Sequence, residues 1–376
     1  MSIKLGEICN FQSGGTPSKN NSEFFDGTIP WVTTTALNGS KIDERNAATW
    51  ITEKAIKESA AKIVPANSIM VGTRVGVGKV AVNTVEMSTS QDIISLIDIN
   101  EERWDKDYLC KFLQSKSDYL NSQARGATIK GIKINVLAEL AVPDISVKEQ
   151  CRISEVLNTV TKLINARQQQ LAKLDELVKA RFVEMFSDTR AEEPLATLCT
   201  FIDYRGKTPE KAERGLPFIT AKNIKMHHMS FETKEFISKE TYDKVMTRGF
   251  PKVGDVVFTT EAPLGNVCRI PYMKTEFYIG QRIITMQTKA LEPVYLEYAL
   301  SSDDFKRKIL EKSSGSTVTG IRSKLLEQLT IPVPPIAQQQ KFAAFVGQIE
   351  KIRLFIQKNI EKIETLKKAL MQKYFE

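Results

Sequence analysis

The stretch Gly76–Val77–Gly78–Lys79 is the first candidate for phosphate chemistry, because a glycine-rich loop that ends in lysine can cradle a nucleotide. A Walker-type loop also requires a glycine five positions before the Gly–Lys pair and a serine or threonine directly after it. Those positions are Thr73 and Val80, and the residues that follow read as a strand rather than a helix. We interpret the segment as a turn that lets the backbone approach a ligand or a neighbouring segment.

Histidine and cysteine offer no better catalytic or metal-binding set. His227 and His228 are the only two histidines and have no third ligand at metal spacing, which favours a surface or turn role. The five cysteines are scattered and form no C-x-x-C pair, which favours a reducing compartment: Cys9, Cys110, Cys151, Cys199 and Cys268. G-x-S-x-G, H-E-x-x-H and the Asn/Asp-Pro-Pro-Tyr/Phe motif of amino-methyltransferases are missing as well. The sequence predicts no catalytic residue and no metal site.

Length and composition indicate a soluble protein of two or more domains. The chain has 376 residues, of which 42% are hydrophobic and 26% are charged. No apolar run approaches the roughly 20 residues of a membrane helix. The N-terminal residues MSIKLGEICNFQSGG lack the apolar core of a signal peptide. We therefore expect a cytoplasmic protein with no membrane partner.

The net charge of +8 is unevenly distributed along the chain. Residues 1–189 contain 23 basic and 23 acidic residues, so the whole excess lies in the remainder. Windows that contain basic but no acidic residues include 119–138 and 312–326. Solvated loops explain any single window as well as a binding site does. The two windows, however, occupy equivalent places in an internal repeat, which favours a shared surface for a polyanion.

Two segments with apolar residues at every third or fourth position predict long amphipathic helices. The first stripe is Ile153, Val156, Val160, Leu163, Arg167, Leu171, Leu174, Val178 and Phe182, and the second is Phe342, Phe345, Ile349, Ile352, Ile356, Ile360, Ile363, Leu366, Leu370 and Tyr374. Ser146 to Glu149 has the form of a capping box, and Pro334–Pro335 marks the matching start. About 40 residues at ~1.5 Å each would span roughly 60 Å. A single stripe requires a partner helix, most simply the other copy in a coiled-coil-like pair.

The chain repeats itself with an offset of 189 residues. TIKGIKINVLAELAVPDISVKEQCRI at 128–153 matches TVTGIRSKLLEQLTIPVPPIAQQQKF at 317–342, and the register continues to Phe186 and Phe375. The upstream halves match weakly and hold short strand-like runs at 68–71, 79–82, 92–97, 255–259 and 282–286, with short helices at 107–116 and 293–301. These patterns predict an α+β fold with an internal pseudo-two-fold repeat.

This combination resembles the DNA-specificity subunit of type I restriction–modification enzymes over essentially the whole chain. The junctions carry the resemblance, in the residues Gly131–Ile132, Leu137, Pro143 and Gln150 and their counterparts Gly320–Ile321, Leu326, Pro332 and Gln339. The first junction departs from the family pattern with Asp144–Ile145 in place of a proline pair, and the second has Gln338 where an acidic residue is usual. The resemblance implies two β-rich target-recognition domains at 1–143 and 191–333, joined by long antiparallel helices at 144–190 and 334–376.

The resemblance also implies a function without catalysis by this chain. Each domain would read one half of a bipartite, asymmetric site in double-stranded DNA, and the helix pair would set the spacing and dock two modification subunits. This chain would bind no cofactor, whereas its partners would use S-adenosylmethionine and, in the restriction subunits, ATP and Mg²⁺. An orphan or decoy DNA-binding protein is the alternative. A free-standing methyltransferase or nuclease lacks its motifs, and a coiled-coil scaffold leaves both domains without a role.

Base reading requires forked donors or amides, whereas lysine, serine and threonine more often position the phosphates. On these grounds we predict contacts with DNA in the first domain at Thr33, Thr34, Arg74, Lys79, Arg125 and Lys130. In the second domain we predict contacts at Lys222, Asn223, Lys225, Arg269, Arg322 and Lys324.

Overall fold

Two compact units divide the chain in the computed structural model, which describes residues 1–38, 41–126, 131–206, 208–313 and 319–376. Unit 1 comprises Met1–Gln168 and Lys358–Glu376, and unit 2 comprises Gln169–Gln357. Each unit therefore contains one of the diverged domains, the beginning of the long helix that follows that domain, and the end of the other long helix.

Unit 1 is built on a five-stranded sheet and a four-stranded sheet. Its strands are β1 (Ser2–Lys4), β2 (Asn10–Ser13), β3 (Phe25–Val32), β4 (Lys41–Ile42), β5 (Thr49–Ile51), β6 (Ile63–Val64), β7 (Ile69–Gly72), β8 (Val80–Asn83), β9 (Met87–Thr89), β10 (Ile93–Ile97) and β11 (Ala141–Pro143). The sheets have the orders β2-β10-β7-β8-β4 and β5-β3-β9-β6, and β1 pairs with β11. Its helices are α1 (Glu53–Glu58), α2 (Lys106–Ser115), α3 (Ser117–Gln123), α4 (Ile134–Ala138) and the first part of α5 (Val147–Phe186), with 3₁₀ turns at Leu5–Glu7, Ser22–Phe24, Thr34–Ala36 and Glu44–Asn46.

Unit 2 repeats this plan with smaller sheets. Its strands are β12 (Glu192–Pro194), β13 (Cys199–Asp203), β14 (Leu216–Ile219), β15 (Ile224–Lys225), β16 (His228–Met229), β17 (Phe236–Ile237), β18 (Val256–Thr259), β19 (Val267–Arg269), β20 (Tyr278–Ile279), β21 (Ile283–Thr288) and β22 (Thr330–Pro332). They form the sheets β13-β21-β18-β19, β17-β14-β20, β15-β16 and β12-β22. The helices are α6 (Leu195–Leu198), α7 (Lys239–Val245), α8 (Pro293–Ser301), α9 (Asp303–Lys312), α10 (Ser323–Gln328) and α11 (Ile336–Phe375).

The diverged domains share one framework of strands. The antiparallel order β13-β21-β18-β19 matches β2-β10-β7-β8, and the parallel pair β14–β20 matches β3–β9. The strand before each domain pairs with the strand before each long helix, so Ser2 lies opposite Pro143 and Glu192 lies opposite Pro332. The predicted α+β repeat is confirmed, and the framework persists where the sequences have drifted.

The long helices α5 and α11 have 40 residues each, as predicted. In unit 1, Ile153 and Leu157 near the start of α5 share a core with Phe375 at the end of α11. In unit 2, Phe186 at the end of α5 packs on Phe342 near the start of α11, with ring centroids 5.5 Å apart. The helices are therefore antiparallel within each unit. Contact between two helices buries a narrow stripe, so three predicted stripe residues are about half exposed: Leu163, Ile352 and Leu366.

A buried glutamine ties the first turn of each long helix to the domain that precedes it. In unit 1, Gln150 is fully buried, donates through Nε2 to the carbonyls of Arg103 (3.1 Å) and Ile145 (2.9 Å), and accepts through Oε1 from the Asp105 N–H (2.8 Å). Asp105 is the N-cap of α2. The amide therefore joins α5 and α2 through backbone groups that would otherwise be buried without partners.

The same device recurs in unit 2. Gln339 is 1% exposed, donates to the Pro334 carbonyl (2.8 Å) and accepts from the N–H of Glu292 (3.0 Å), which is the N-cap of α8. Gln150 and Gln339 are one 189-residue repeat apart. The strictly repeated part of the sequence therefore includes the joint between domain and helix.

An aromatic contact fixes the opposite end of each long helix. Phe375 packs on Tyr108 of α2 in unit 1, with ring centroids 5.3 Å apart, and Phe186 packs on Tyr295 of α8 in unit 2 at 4.9 Å. The Tyr295 hydroxyl donates to the Pro332 carbonyl at 2.6 Å. The start of one long helix and the end of the other therefore both pack against α2 in unit 1 and against α8 in unit 2.

Several local sequence interpretations are confirmed. The short helices lie at Lys106–Ser115 and Pro293–Ser301, within one residue of the prediction. Ser146 Oγ accepts from the Glu149 N–H at 3.3 Å, which confirms one side of the capping box, but the Glu149 carboxylate pairs with Arg152 instead. Gly78 lies in the predicted turn with φ +79°, where an added Cβ would be 2.6 Å from Ser117 Oγ.

Replacing Gln150 with alanine will destabilise unit 1 by about 2–4 kcal/mol, because it leaves a backbone N–H and two carbonyls buried without partners. Hydrogen exchange should localise the loss to the Asp105 amide, and thermal unfolding gives its size. Gln168→Ala is the matched control, since Gln168 is exposed on the same helix. An equal effect of both substitutions would contradict the role assigned to Gln150.

Candidate DNA interface

A groove of about 640 Å³ lies in unit 1, at the end of β7. Arginine and glutamine side chains dominate its lining, together with one carboxylate and one lysine: Arg74, Gln91, Asp92, Gln123, Arg125, Gly131, Ile132, Lys133 and Val136. Arg74, Gln91, Arg125 and Lys133 are exposed. The arginines and the glutamine are forked or amide donors, which can read base edges, and the lysine can hold a phosphate.

Backbone hydrogen bonds hold the walls of the groove together. The Thr73 N–H donates to the Asp92 carbonyl (2.8 Å), and the Ile132 N–H donates to the Thr73 carbonyl (2.8 Å). Arg125 and Gly131 exchange two bonds of 3.0 Å. A Cβ on Gly131 would lie 2.9 Å from Arg74 Cγ, so glycine here lets the segment pack closely beside Arg74. These hydrogen-bonded backbone segments around Thr73, Asp92 and Ile132 form a fixed support, which we call the base of the groove. The donor side chains project from it.

Unit 2 repeats the two backbone bonds that Thr73 makes, whereas its glycine pairs with a different partner. The Thr260 N–H donates to the Arg282 carbonyl (3.0 Å), and the Ile321 N–H donates to the Thr260 carbonyl (3.0 Å). Gly320 forms a bridge with Glu261, and a Cβ on Gly320 would lie 3.2 Å from the Thr260 carbonyl oxygen. Through this base, Arg74 corresponds to Glu261 and Asp92 corresponds to Arg282.

The charges on this shared base are exchanged between the units. In unit 1, Arg74 after β7 faces Asp92 before β10, with 4.0 Å between their charged atoms. In unit 2, Glu261 after β18 faces Arg282 before β21 at 3.0 Å. Both arginine side chains are about half exposed. The arginine therefore follows β7 in unit 1 but precedes β21 in unit 2, so the guanidinium groups lie at different positions on the base of the groove.

The structure brings two of the six residues predicted in the first domain into the groove, Arg74 and Arg125. Lys79 is exposed beside the β7–β8 turn but does not line the groove. Thr33 is half-buried, and its hydroxyl shares a 2.8 Å hydrogen bond with Thr35. Thr34 is 5% exposed and is corrected to a core residue. Lys130 lies outside the described residues.

In the second domain, Arg322 and Lys324 are exposed at the start of α10, and Lys222 and Lys225 are exposed around β15. Asn223 is a correction, because its side chain is 1% exposed. Its Oδ1 accepts from the Thr220 N–H (2.9 Å), and its Nδ2 donates to two further carbonyls. The side-chain amide of Asn223 stabilises a turn and is not accessible to DNA.

Arg269 is partly buried, with 26% of its side chain exposed, and it makes ion pairs within unit 2. Its Nε donates to the buried carboxylate of Glu297 at 2.6 Å, and its other nitrogen pairs with Glu350 on α11. His227 Nδ1 lies 2.8 Å from the same Glu297, and its ring stacks on Tyr298 with centroids 4.3 Å apart. Arg269 therefore connects its domain to the long helix, and His227, in the β15–β16 turn, supports that connection.

Sequence reasoning missed Gln123, Lys133 and Arg282 as candidate donors. The repeat held a usable signal for Lys133, because it lies two residues after Gly131 just as Arg322 lies two residues after Gly320. The sequence held no such signal for Arg282 and Gln123, because only the folded structure shows which side chains lie around the base of the groove.

No catalytic set emerges from the described residues. All five cysteines are unpaired, and burial raises the pKa of the Cys9, Cys110, Cys199 and Cys268 thiols to about 12, so these side chains are neutral at physiological pH. Among the residues that the structure covers, no three histidine, cysteine or carboxylate side chains gather as metal ligands. Within the same ranges, no helix is both long enough and apolar enough to span a bilayer.

Comparison with known proteins decides the family. The model of the type I restriction modification DNA specificity domain matches residues 1–176 and 196–365. The chain belongs to this family. It is 23% identical to the type I restriction enzyme MjaIX specificity subunit of Methanocaldococcus jannaschii, over 98% of this chain and 91% of that protein. It is 31% identical to the EcoR124I/EcoR124II specificity subunit of Escherichia coli, over 47% of this chain and 45% of that protein.

Solved structures show the same fold as this member of the specificity family. A chain from a study of complex assembly and conformational transition in the type I restriction–modification system superimposes with a TM-score of 0.62 at 18% identity, covering 100% of this chain and 97% of that one. The S subunit from M. genitalium gives a TM-score of 0.54 at 16% identity, covering 100% and 96%. The matches to the family model fall one on each repeat, so the duplication belongs to the fold of the family.

Replacing Glu297 with glutamine will destabilise unit 2 by about 3–5 kcal/mol, because it removes the buried charge that Arg269 and His227 share. Chemical denaturation followed by hydrogen exchange in β19 measures this effect. Glu240→Gln, on the exposed face of α7, is the control. If Glu297→Gln were neutral, the ion pairs of Arg269 would not stabilise unit 2, and the role assigned to Glu297 would be wrong.

Proposed function

We propose that this chain is the non-catalytic specificity subunit of a type I restriction–modification complex, in which each domain reads one half of a bipartite, asymmetric site in double-stranded DNA. Membership of the specificity family supports this assignment, together with the named specificity subunits that match 98% of the chain. The groove of unit 1 supplies what base reading needs, because arginine recognises guanine and glutamine recognises adenine through paired hydrogen bonds.

The exchange of charge between Arg74–Asp92 and Glu261–Arg282 is the observation that carries the proposal. Two domains that read the same half-site would keep the same donors at equivalent positions. Here the backbone of the base is kept while the side chains that project from it are reversed. The two domains therefore present different donor patterns to DNA, which predicts two different half-sites.

The long helices support the proposed partners. In unit 2, Ile352 and Phe355 lie three residues apart on α11 and are 47% and 65% exposed, and Val183 on α5 is 60% exposed. Apolar side chains exposed on a helix are typical of protein interfaces. We propose that two modification subunits, which carry S-adenosylmethionine, dock on the helices, and that restriction subunits with ATP and Mg²⁺ join the same assembly in the cytoplasm.

The test is to co-express the chain with its modification subunit, purify the complex and map adenine methylation by sequencing. We expect methylation at a bipartite site, and we expect Arg74→Ala to relax one half-site while leaving the other unchanged. A bidentate contact with a base contributes about 1–3 kcal/mol of discrimination, so preference at that position should fall roughly tenfold or more.

Arg45→Ala is the matched control, since Arg45 is an exposed arginine in an ion pair with Asp43 and does not line the groove. Methylation that disappears equally from all sites with Arg74→Ala would identify a phosphate contact. Absence of methylation in a complex that does form would reject the proposed function. A chain that binds DNA but captures no modification subunit would be an orphan binder, which the family matches do not favour.

A further inference from the structure

A second cavity of unit 1, of about 250 Å³, is lined by three lysines and one carboxylate. It lies between β4, β8, α2 and the start of α5, and its polar lining includes Lys41, Asp107, Lys111, Asn158, Thr161, Lys162 and Asn165. Lys111 is 6% exposed as a residue, but its ammonium nitrogen is not among the buried polar atoms that lack a hydrogen-bond partner in the described part of the chain. The cavity is therefore cationic, and an anion bound in it would offset the repulsion between its lysines.

The adjoining cavity adds to the positive charge. It measures about 380 Å³, shares Thr161 with the first cavity and is also lined by Lys367 and Lys368 of α11. Burial, and secondly the charge of Lys111, lower the pKa of Lys367. The carboxylates of Asp107 and Glu364 line the two cavities, but among the described residues neither lies within 4.0 Å of the Lys111 or Lys367 nitrogen. Together the linings hold five lysines against these two acids.

Unit 2 shows what fills the equivalent place. Val82 pairs with Ile69 at the start of β7, and Arg269 pairs with Val256 at the start of β18, so Val82 and Arg269 correspond. Cys110 and Glu297 each lie five residues after the N-cap of α2 or α8. Thr161 and Glu350 each lie eleven residues after the buried glutamine of their long helix.

The corresponding positions hold different side chains in the two units. In unit 2 they hold Arg269 with the carboxylates of Glu297 and Glu350, which form a closed ion-paired cluster. In unit 1 they hold Val82, Cys110 and Thr161, all of which line the cavity with Lys111. The chain supplies its own carboxylates in one unit and leaves a cationic cavity in the other.

We propose that this cavity of unit 1 is a docking site for an acidic side chain of a partner protein, whose carboxylate pairs with Lys111 where unit 2 uses its own glutamates. The cavity has room for one aspartate or glutamate side chain rather than for a nucleotide. Its lining comes from β4, β8, α2 and α5, and shares no residue with the groove around Arg74. The site is therefore separate from DNA reading, and only the choice of the modification subunit as the partner rests on the proposed function.

The first test uses the isolated chain and needs no partner. Thr161→Glu places a carboxylate at the position that corresponds to Glu350, so it should raise Tm by about 2 °C or more. The same substitution in a Lys111→Met background should lower Tm, because the new carboxylate is then buried without a cation. Thr159→Glu, exposed on the same helix, is the control and should leave Tm unchanged. If Thr161→Glu and Thr159→Glu behave alike, the cavity does not accept a carboxylate and the proposal fails.

The second test measures the affinity of the purified modification subunit for the chain. Lys111→Met and Thr161→Glu should each weaken binding at least tenfold, the first by removing the cation and the second by occupying the cavity. Lys57→Met on α1, which is 75% exposed and remote from the cavity lining, should have no effect. Unchanged affinity of both variants would overturn the proposal.

Two outcomes separate this proposal from the proposed function. If Lys111→Met instead weakens DNA binding by the isolated chain and lowers the salt dependence of that binding, the occupant is a phosphate and the carboxylate proposal is wrong. If the unaltered chain binds no modification subunit, the partner assigned in the proposed function is wrong. The Tm comparison still decides whether the cavity accepts a carboxylate.

Discussion

The buried amide of a glutamine in the first turn of each long helix is the interaction on which the rest of the structure depends. Gln150 and Gln339 bind backbone groups at the start of α2 and α8, so the direction in which each helix leaves its domain is fixed by short hydrogen bonds inside the protein. An amide has both donors and acceptors and can satisfy a carbonyl and an N–H together. Aliphatic side chains would leave those groups unpaired, and a carboxylate would repel the carbonyls.

This constraint explains why the repeat has a strict part and a drifted part. Where buried backbone groups must be satisfied, the two copies keep the same bonds, from Ile132 to Thr73 in unit 1 and from Ile321 to Thr260 in unit 2. Side chains on the exposed rim of the base have no such requirement, and there Arg74 and Asp92 are replaced by Glu261 and Arg282. The same contrast separates the cationic cavity of unit 1 from the ion-paired cluster of unit 2. The two copies share backbone hydrogen bonds and differ in the side chains that these segments carry.

The sequence predicted the elements better than the site. Periodicity located both long helices to within a few residues, because one apolar face of a helix leaves a regular pattern. That pattern could not show that Leu163 lies outside the contact, since a wide stripe and a narrow interface look the same in one dimension. Residue type alone does not reveal a partner, so it could not show that Asn223 is buried in a turn or that Arg269 is ion-paired. The partners of Arg269 are Glu297 and Glu350, which are 28 and 81 residues away.

The most direct test of the account is a chain in which residues 191–333 replace residues 1–143, so that both positions carry the second domain on the natural long helices. The measurement is the methylation pattern of its complex with the modification subunit. If each domain reads its half-site independently on a shared framework, methylation will move to sites that contain the second domain's half-site twice, at the original spacing. Methylation that remains at the original asymmetric site would contradict the account.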